Sequence, residues 1–335
     1  RWIAQGAAAP ANERPQPDPR QHWAFQPPRQ VDVPKVVSTA AGEKPLPVEW
    51  THNPIDTFLA AEQVRRGVTP VGLAEKPRLL RRVTLDLTGL PPAREELHAF
   101  LQDTSPDAYE KVVDRLLANP QYGERWGRHW LDVARYSDGY GGFLDAAGLP
   151  NAWRYRDWVV GVLNRDMPYD EFVRLQIAGD LIDSEQAVAT GFLALGPTYI
   201  SDGGDPEATA QAKAETLDDR VDTLTRGLMG LTVSCARCHD HRFDPYPQLD
   251  YYSLAGVLNN TANFEHPLAP PDKVEAYEKI DRRIKEIERL TRQLKLKLRT
   301  EQRKADEKEK KQLDDWDAEA TKLKAGHKEK YPFVH

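Results

Sequence analysis

Several things are scarce in this 335-residue chain, beginning with sulfur: it has two cysteines and two methionines. Two cysteines cannot build a disulfide framework. No apolar run approaches the roughly 18–20 residues needed to cross a bilayer, so a membrane-spanning helix is excluded. Positive charge is not in excess either, because 46 Lys and Arg face 52 Asp and Glu, for a formal net charge of −6 and a pI of about 5.9. A nucleic-acid partner, which asks for a basic domain or stripe, is therefore disfavoured. The opening R-W-I-A-Q-G-A lacks both an initiator methionine and a charged-then-apolar signal segment. It reads as part of a longer polypeptide whose export signal would lie upstream. Period-two strand patterns are missing too, which leaves a mainly α fold.

What is present divides the chain in three. With 40% hydrophobic and 29% charged residues and a mean hydropathy of −0.66, the chain can bury one main core while much of it stays solvated or elongated. Of the 26 prolines, 14 fall in the first 92 residues. Residues 1–52 therefore read as the end of an upstream domain plus an extended Pro-rich arm, with Trp23, Phe25 and Trp50 as anchors. From Asn53 the texture turns helical: Ile55, Phe58, Leu59 and Val64, then Leu79, Leu80, Val83 and Leu85 up to the stop signal Gly89-Leu90-Pro91-Pro92. Further helices are predicted over 95–101, 108–117, 123–136, 152–163, 169–177 and 207–230, and Ser105-Pro106-Asp107 supplies a cap and first turn. Residues 53–262 make the central helical domain.

Residues 263–335 are a separable tail. Tyr277, Ile280, Ile284, Ile287, Leu294 and Leu298 step by threes and fours among Lys, Arg and Glu, a coiled-coil signature. The stripe lapses after Arg299 and returns at Leu313, Trp316, Ala320 and Leu323, which fits a helical hairpin or one long frayed helix. The hairpin is the reading adopted.

Both cysteines fall in one pentapeptide, Cys235-Ala236-Arg237-Cys238-His239, the spacing by which c-type haem is attached. Two intervening residues on a helical turn present both sulfurs to the two vinyl groups of one porphyrin, and the next residue aims an imidazole at the iron. Cys235 and Cys238 would form thioethers, and His239 would be the proximal ligand. Chance placement of two cysteines and a histidine meets this spacing on the order of once in several thousand trials. Two other readings stand beside it: a pair of plain buried thiols, or a zinc or iron site built from Cys235, Cys238, His239 and His241. Haem attachment of this kind takes place outside the cytoplasm, so the motif also predicts a periplasmic or otherwise extracytoplasmic location.

The sixth iron position is less determined. Met167 and Met229 both precede the motif, unlike the downstream methionine of small mitochondrial-type cytochromes c, and His241 lies too near the proximal ligand to reach the opposite face. His129 is better placed, because helical spacing groups it with Trp126, Trp130 and Val133 on one face, opposite Arg125, Arg128, Asp132 and Arg135. It is either a metal ligand or a core histidine bonded to a partner. Trp126, Trp130 and Phe243 are the aromatics expected to shield the haem. Asp240, His241, Asp244 and Asp250, with Asp218, Asp219 and Asp222 upstream, read mainly as helix caps and partners of Arg220, Arg237 and Arg242, or as a cation site. Gly139-Tyr140-Gly141-Gly142 and Asp202-Gly203-Gly204-Asp205 lack the strand-turn-helix setting of phosphate loops. They read as flexible loops.

Several segments carry a resemblance. They are N-P-I-D-T-F-L-A from Asn53, R-R-V-T-L-D-L-T-G-L-P-P from Arg81, Y-G-E-R-W-G-R-H-W-L-D-V-A-R-Y from Tyr122 and W-R-Y-R-D-W-V from Trp153, followed by Q-I-A-G-D-L from Gln176, A-T-G-F-L-A-L-G-P from Ala189 and L-T-V-S-C-A-R-C-H-D-H-R-F-D-P from Leu231. Over about Asn53 to Thr261 the chain resembles the planctomycete-type cytochrome c family of large exported multi-domain proteins. The resemblance implies a neighbouring cytochrome-type domain upstream and a further domain of unknown function downstream, with little said of mechanism. Taken together, the sequence predicts an irregular helical haem-binding domain with a Pro-rich arm and a coiled-coil extension. It would pass single electrons through one covalent haem c, ligated by His239 and His129, to redox partner proteins in a larger assembly. Two alternatives remain: a haem- or metal-dependent enzyme acting on peroxide or a polysaccharide, and a scaffold subunit in which the haem is structural.

Overall fold

The computed structural model describes residues 18–34, 53–68, 71–139, 149–199, 205–261, 270–301 and 303–330. Most of the Pro-rich arm with Trp50, the loop residues 140–142 and 202–204, and the closing residues 331–335 lie outside these. Twelve α-helices and no strand occur among the described residues. None of these helices is long and apolar enough to cross a membrane. Of the arm, 18–34 holds two 3-10 turns, Pro19–Gln21 and Trp23–Phe25, with Trp23 exposed.

The chain forms two compact units, each discontinuous in sequence: Arg1–Asn119 with Cys238–Asp250, and Pro120–Arg237 with Tyr251–His335. The first contains α1 (Pro54–Arg65), α2 (Lys76–Thr88), α3 (Arg94–Gln102) and α4 (Ala108–Leu117). Helix α1 starts on a capping box, in which Asn53 and Asp56 each accept the other's backbone N–H. Helix α2 ends at Gly89, whose φ of 74° a side chain would resist, and Pro91 and Pro92 stop any continuation. Its apolar stripe places Leu80 and Val83 against Phe100 of α3 and Ala108, Val112 and Leu116 of α4. Thr84 and Thr88, buried on the same stripe, each donate a hydroxyl to the carbonyl four residues back. Asp107 does occupy the start of α4, yet its carboxylate pairs with Lys111 at 2.8 Å instead of capping.

In the second unit, α5 (Gln121–Val133), α6 (Ala152–Asn164), α7 (Tyr169–Ile182), α8 (Gly191–Ala194) and α9 (Pro206–Met229) surround an aromatic core. Tyr155, Val159, Ala134 and Phe192 are its buried centre. Phe192 stacks on Trp130 and Trp158 stacks on Phe172, each pair with centroids 5.6 Å apart. Gln176, fully buried on α7, accepts hydrogen bonds from Trp130 Nε1 at 2.8 Å and the Tyr155 hydroxyl at 2.6 Å. Burial drives the Tyr155 phenol well above its ordinary range.

The spacing of α5 groups Trp126, His129, Trp130 and Val133, and these four do line one cleft, but the residues that the helix buries lie elsewhere. Gly123 and Gly127, not Trp126 and Val133, are its buried residues. A Cβ at Gly123 would strike the Val160 carbonyl and the Asn164 side chain, and one at Gly127 would sit 3.3 Å from Val160 Cγ2. Glycine there lets α5 lie close on α6, a reason invisible to a hydrophobicity pattern. Arg135, expected on a solvated face, sits just past the helix at φ 55°, paired with Asp219 and packed on Gly196. Burial pushes its basicity down to about 10.

The tail is a hairpin of α11 (Pro271–Thr300) and α12 (Glu307–Lys330). Arg283 bonds Glu319 at 2.8 Å and Lys324 bonds Glu288 at 2.7 Å, each pair 36 residues apart. One continuous helix would hold them roughly 50 Å apart, so the chain must reverse. Ile284, Ile287 and Ala320 are buried in the hairpin.

Candidate functional site

Helix α9 closes on Gly230 at φ 67°, and three residues later the chain tightens into a 3-10 turn, Val233–Arg237. Side chains in such a turn repeat every three residues, and this period sorts the segment. Val233 and Ala236 are buried. Ser234 and Arg237 both reach Asp218 of α9, the serine hydroxyl donating to its carbonyl at 3.3 Å and the guanidinium lying 3.5 Å from its carboxylate. Cys235 is left exposed, and Cys238, at the next three-residue interval, is exposed as well. Both thiols are free.

The turn is braced from a second side by α10 (Gln248–Asn259), a helix not predicted from the sequence. Tyr251, only 3% exposed, donates its hydroxyl to Asp218 Oδ1 at 2.7 Å, and Tyr252 donates to the Arg237 carbonyl at 3.1 Å. Burial, and then the bond to Asp218, raise the Tyr251 phenol above its usual range.

After Cys238 the chain enters a loop whose two histidines are wired in opposite ways. His239 is exposed, and its Nδ1 lies 2.7 Å from the Asp240 carbonyl oxygen. A carbonyl can only accept, so Nδ1 carries the proton and Nε2 keeps a lone pair. His241 does the reverse: its Nδ1 accepts the Asp244 backbone N–H at 2.8 Å, so its proton sits on Nε2. Its ring packs on Tyr246 with centroids 4.6 Å apart. His241 is thus a tie within its own loop, while His239 presents a nitrogen with an open lone pair. Two free outward thiols and one imidazole with an open lone pair are the donor set that a c-type haem requires. Among the described residues, no three His, Cys, Asp or Glu side chains gather into a metal cage.

The aspartates near the motif act as partners and caps. Asp218 holds Arg237 and Tyr251, Asp219 pairs with Arg135, Asp222 takes Arg226 through two bonds of 2.9 Å, and Asp240 accepts the Gln248 N–H at 2.8 Å.

Three of the other predicted residues come together in the second unit. Trp126, His129 and Trp130 line an open cleft of about 300 Å³ with Tyr122, Tyr169 and Phe172. His129 is exposed, its ring centroid 5.4 Å from that of Trp126, and its imidazole makes no hydrogen bond to any described residue. Trp130 Nε1 is spent on Gln176 and Tyr155, so this residue offers the cleft only its ring face. Met167, passed over in the sequence as a possible ligand, also lines the cleft. Phe243 belongs to the first unit and is 62% exposed, with Arg242 over its ring at 5.4 Å.

No curated protein and no solved structure matches this chain. Residues 54–263 match the family model PSCyt2, described as a protein of unknown function (DUF1549), and the chain accordingly belongs to this planctomycete-type cytochrome c domain family.

Proposed function

We propose that this chain is an exported c-type cytochrome domain that carries one haem covalently and passes single electrons between redox partner proteins. Its family supports a redox role in general. The observation that carries the finer reading is the paired wiring of the motif. The three-residue period leaves Cys235 and Cys238 outward, and the Asp240 carbonyl holds the His239 proton on Nδ1.

Each thiol would add its S–H across one vinyl group, sulfur to one carbon and hydrogen to the other, with no oxidant consumed. His239 would bind through Nε2. A haem so held supplies one-electron exchange at its iron, and the domain takes one electron from a reduced partner protein and yields it to an oxidised one. His129, exposed and without a hydrogen bond, is the proposed sixth ligand. Trp126, Trp130 and Phe243 are the proposed aromatic cover.

The proposed organisation is an arm over 1–52, a haem domain over 53–262 and a coiled-coil extension over 263–335, within a larger extracytoplasmic assembly. The charged, exposed flanks of the α11–α12 hairpin favour the coiled-coil reading. The test is a pyridine haemochrome spectrum on matured protein after denaturation and acid-acetone washing. A haem c spectrum that vanishes in a Cys235→Ser, Cys238→Ser double variant is expected. Bare polypeptide mass in matured material would end the reading.

A further inference from the structure

We infer that Asp240 is the positioning residue of His239: through one residue, the start of α10 sets which imidazole nitrogen is free. This rests on His239 being the haem ligand. Asp240 is held at both ends. Its carbonyl oxygen takes the His239 Nδ1 proton at 2.7 Å, and its carboxylate Oδ1 takes the Gln248 N–H at 2.8 Å.

The second bond has a reason in the sequence. A helix leaves its first N–H groups without partners, and a Ser, Thr, Asp or Asn just before the helix usually satisfies one of them. Pro245, Tyr246 and Pro247 precede α10 and none can do this. The acceptor therefore comes from Asp240, eight residues upstream.

The intervening loop is closed by ties of its own. His241 N–H donates to the Tyr246 carbonyl at 3.1 Å, Asp244 N–H to His241 Nδ1 at 2.8 Å, and the Tyr246 hydroxyl to Asp244 Oδ2 at 3.1 Å. With the loop shut and the carboxylate anchored on Gln248, the Asp240 peptide has little freedom to swing, and its carbonyl stays aimed at Nδ1. Donation from Nδ1–H makes the imidazole a more basic ligand, and ligand basicity favours the oxidised metal. The carboxylate would thus act on a bound iron only through its own main chain and His239.

The test uses matured, haem-bearing protein. In Asp240→Ala the cap is lost, the carbonyl is released, and the midpoint potential is expected to rise. A tenfold loss of preference for the ferric state corresponds to about 59 mV. In the reduced, six-coordinate low-spin protein, which is diamagnetic, the His239 Nδ1–H should exchange with solvent at least tenfold faster than in the parent. Asp240→Asn keeps the acceptor and should restore both values. Should Asp240→Ala fail to mature, Gln248→Pro removes the same bond from the other side, at a helix position that accepts proline. It is expected to move both values in the same direction. A haem-bearing Asp240→Ala or Gln248→Pro protein with parental potential and parental exchange overturns the inference. Absence of a haemochrome from the parent protein overturns the haem reading itself, and is seen in a different assay.

Discussion

Asp218→Ala is the substitution that should most clearly expose how the motif is held. Asp218 accepts the Tyr251 hydroxyl at 2.7 Å and lies 3.5 Å from the Arg237 guanidinium. Tyr251 is 3% exposed, so truncating its acceptor strands a buried O–H, at about 1–3 kcal/mol. The ion pair is partly solvated and contributes up to about 1 kcal/mol. A loss of about 1–4 kcal/mol in unfolding free energy is expected, read by urea titration of tryptophan fluorescence and helical circular dichroism. Asp218→Asn keeps an acceptor for Tyr251 and gives up only the charge, so it should cost under about 1 kcal/mol. The Ser234 hydroxyl bonds the Asp218 main chain and survives both changes. Because the side-chain bonds also fix the turn that bears Cys235, the alanine variant should mature with less haem per chain than the asparagine variant. Equal stability losses for the two variants, or an alanine loss below about 0.5 kcal/mol, would refute the reasoning.

Three further outcomes follow from the same structure. Gly123→Ala forces a methyl group into the Val160 carbonyl and should destabilise the second unit by about 1–3 kcal/mol despite alanine's better helix propensity; a stabilised variant in thermal unfolding would contradict the close α5–α6 approach. His129→Ala should convert a six-coordinate low-spin absorption spectrum to high-spin, and an unchanged spectrum removes His129 as ligand. Burial and, for Tyr251, the bond to Asp218 raise the folded-state phenols of Tyr155 and Tyr251 above the ordinary value of 10.0. The unfolded chain therefore loses these protons first as pH rises. Stability is fully present below about pH 10 and falls above it, and Tyr155→Phe should flatten that alkaline decline in urea midpoints measured across pH 9–11.

Much of the helical layout was legible because its boundaries are local. Asn53-Pro54, Gly89 and Gly230 each terminate or start a helix with chemistry carried by one or two residues, and the observed ends fall where these residues sit. The hairpin tail was legible from spacing, and ion pairs 36 residues apart decide between its two readings. Helix α10 was missed because its cap lies eight residues upstream across two prolines. The packing of Gly123 and Gly127 on α5 was not legible because glycine contributes to packing by absence, which no hydrophobic stripe records. Arg135 was misplaced because a single positive φ carries it off the helical wheel.

The same distinction governs the candidate site. The identity of the proposed attaching and ligating groups is written in five consecutive residues, because thioether spacing and an adjacent imidazole would be demands of a porphyrin and not of the fold. What aims those groups is non-local: Tyr251 reaches Asp218 across 33 positions, and Gln248 reaches Asp240 across eight. Neither bond has a sequence signature, since any Asp could accept from a Tyr hydroxyl or from a backbone N–H. Of the two histidines flanking Asp240, composition ranks them alike, yet one has its Nδ1 beside a carbonyl and the other has it beside a backbone N–H. Residue type thus fixes which donors are available here, and the direction of two backbone hydrogen bonds fixes which ring nitrogen each histidine leaves open.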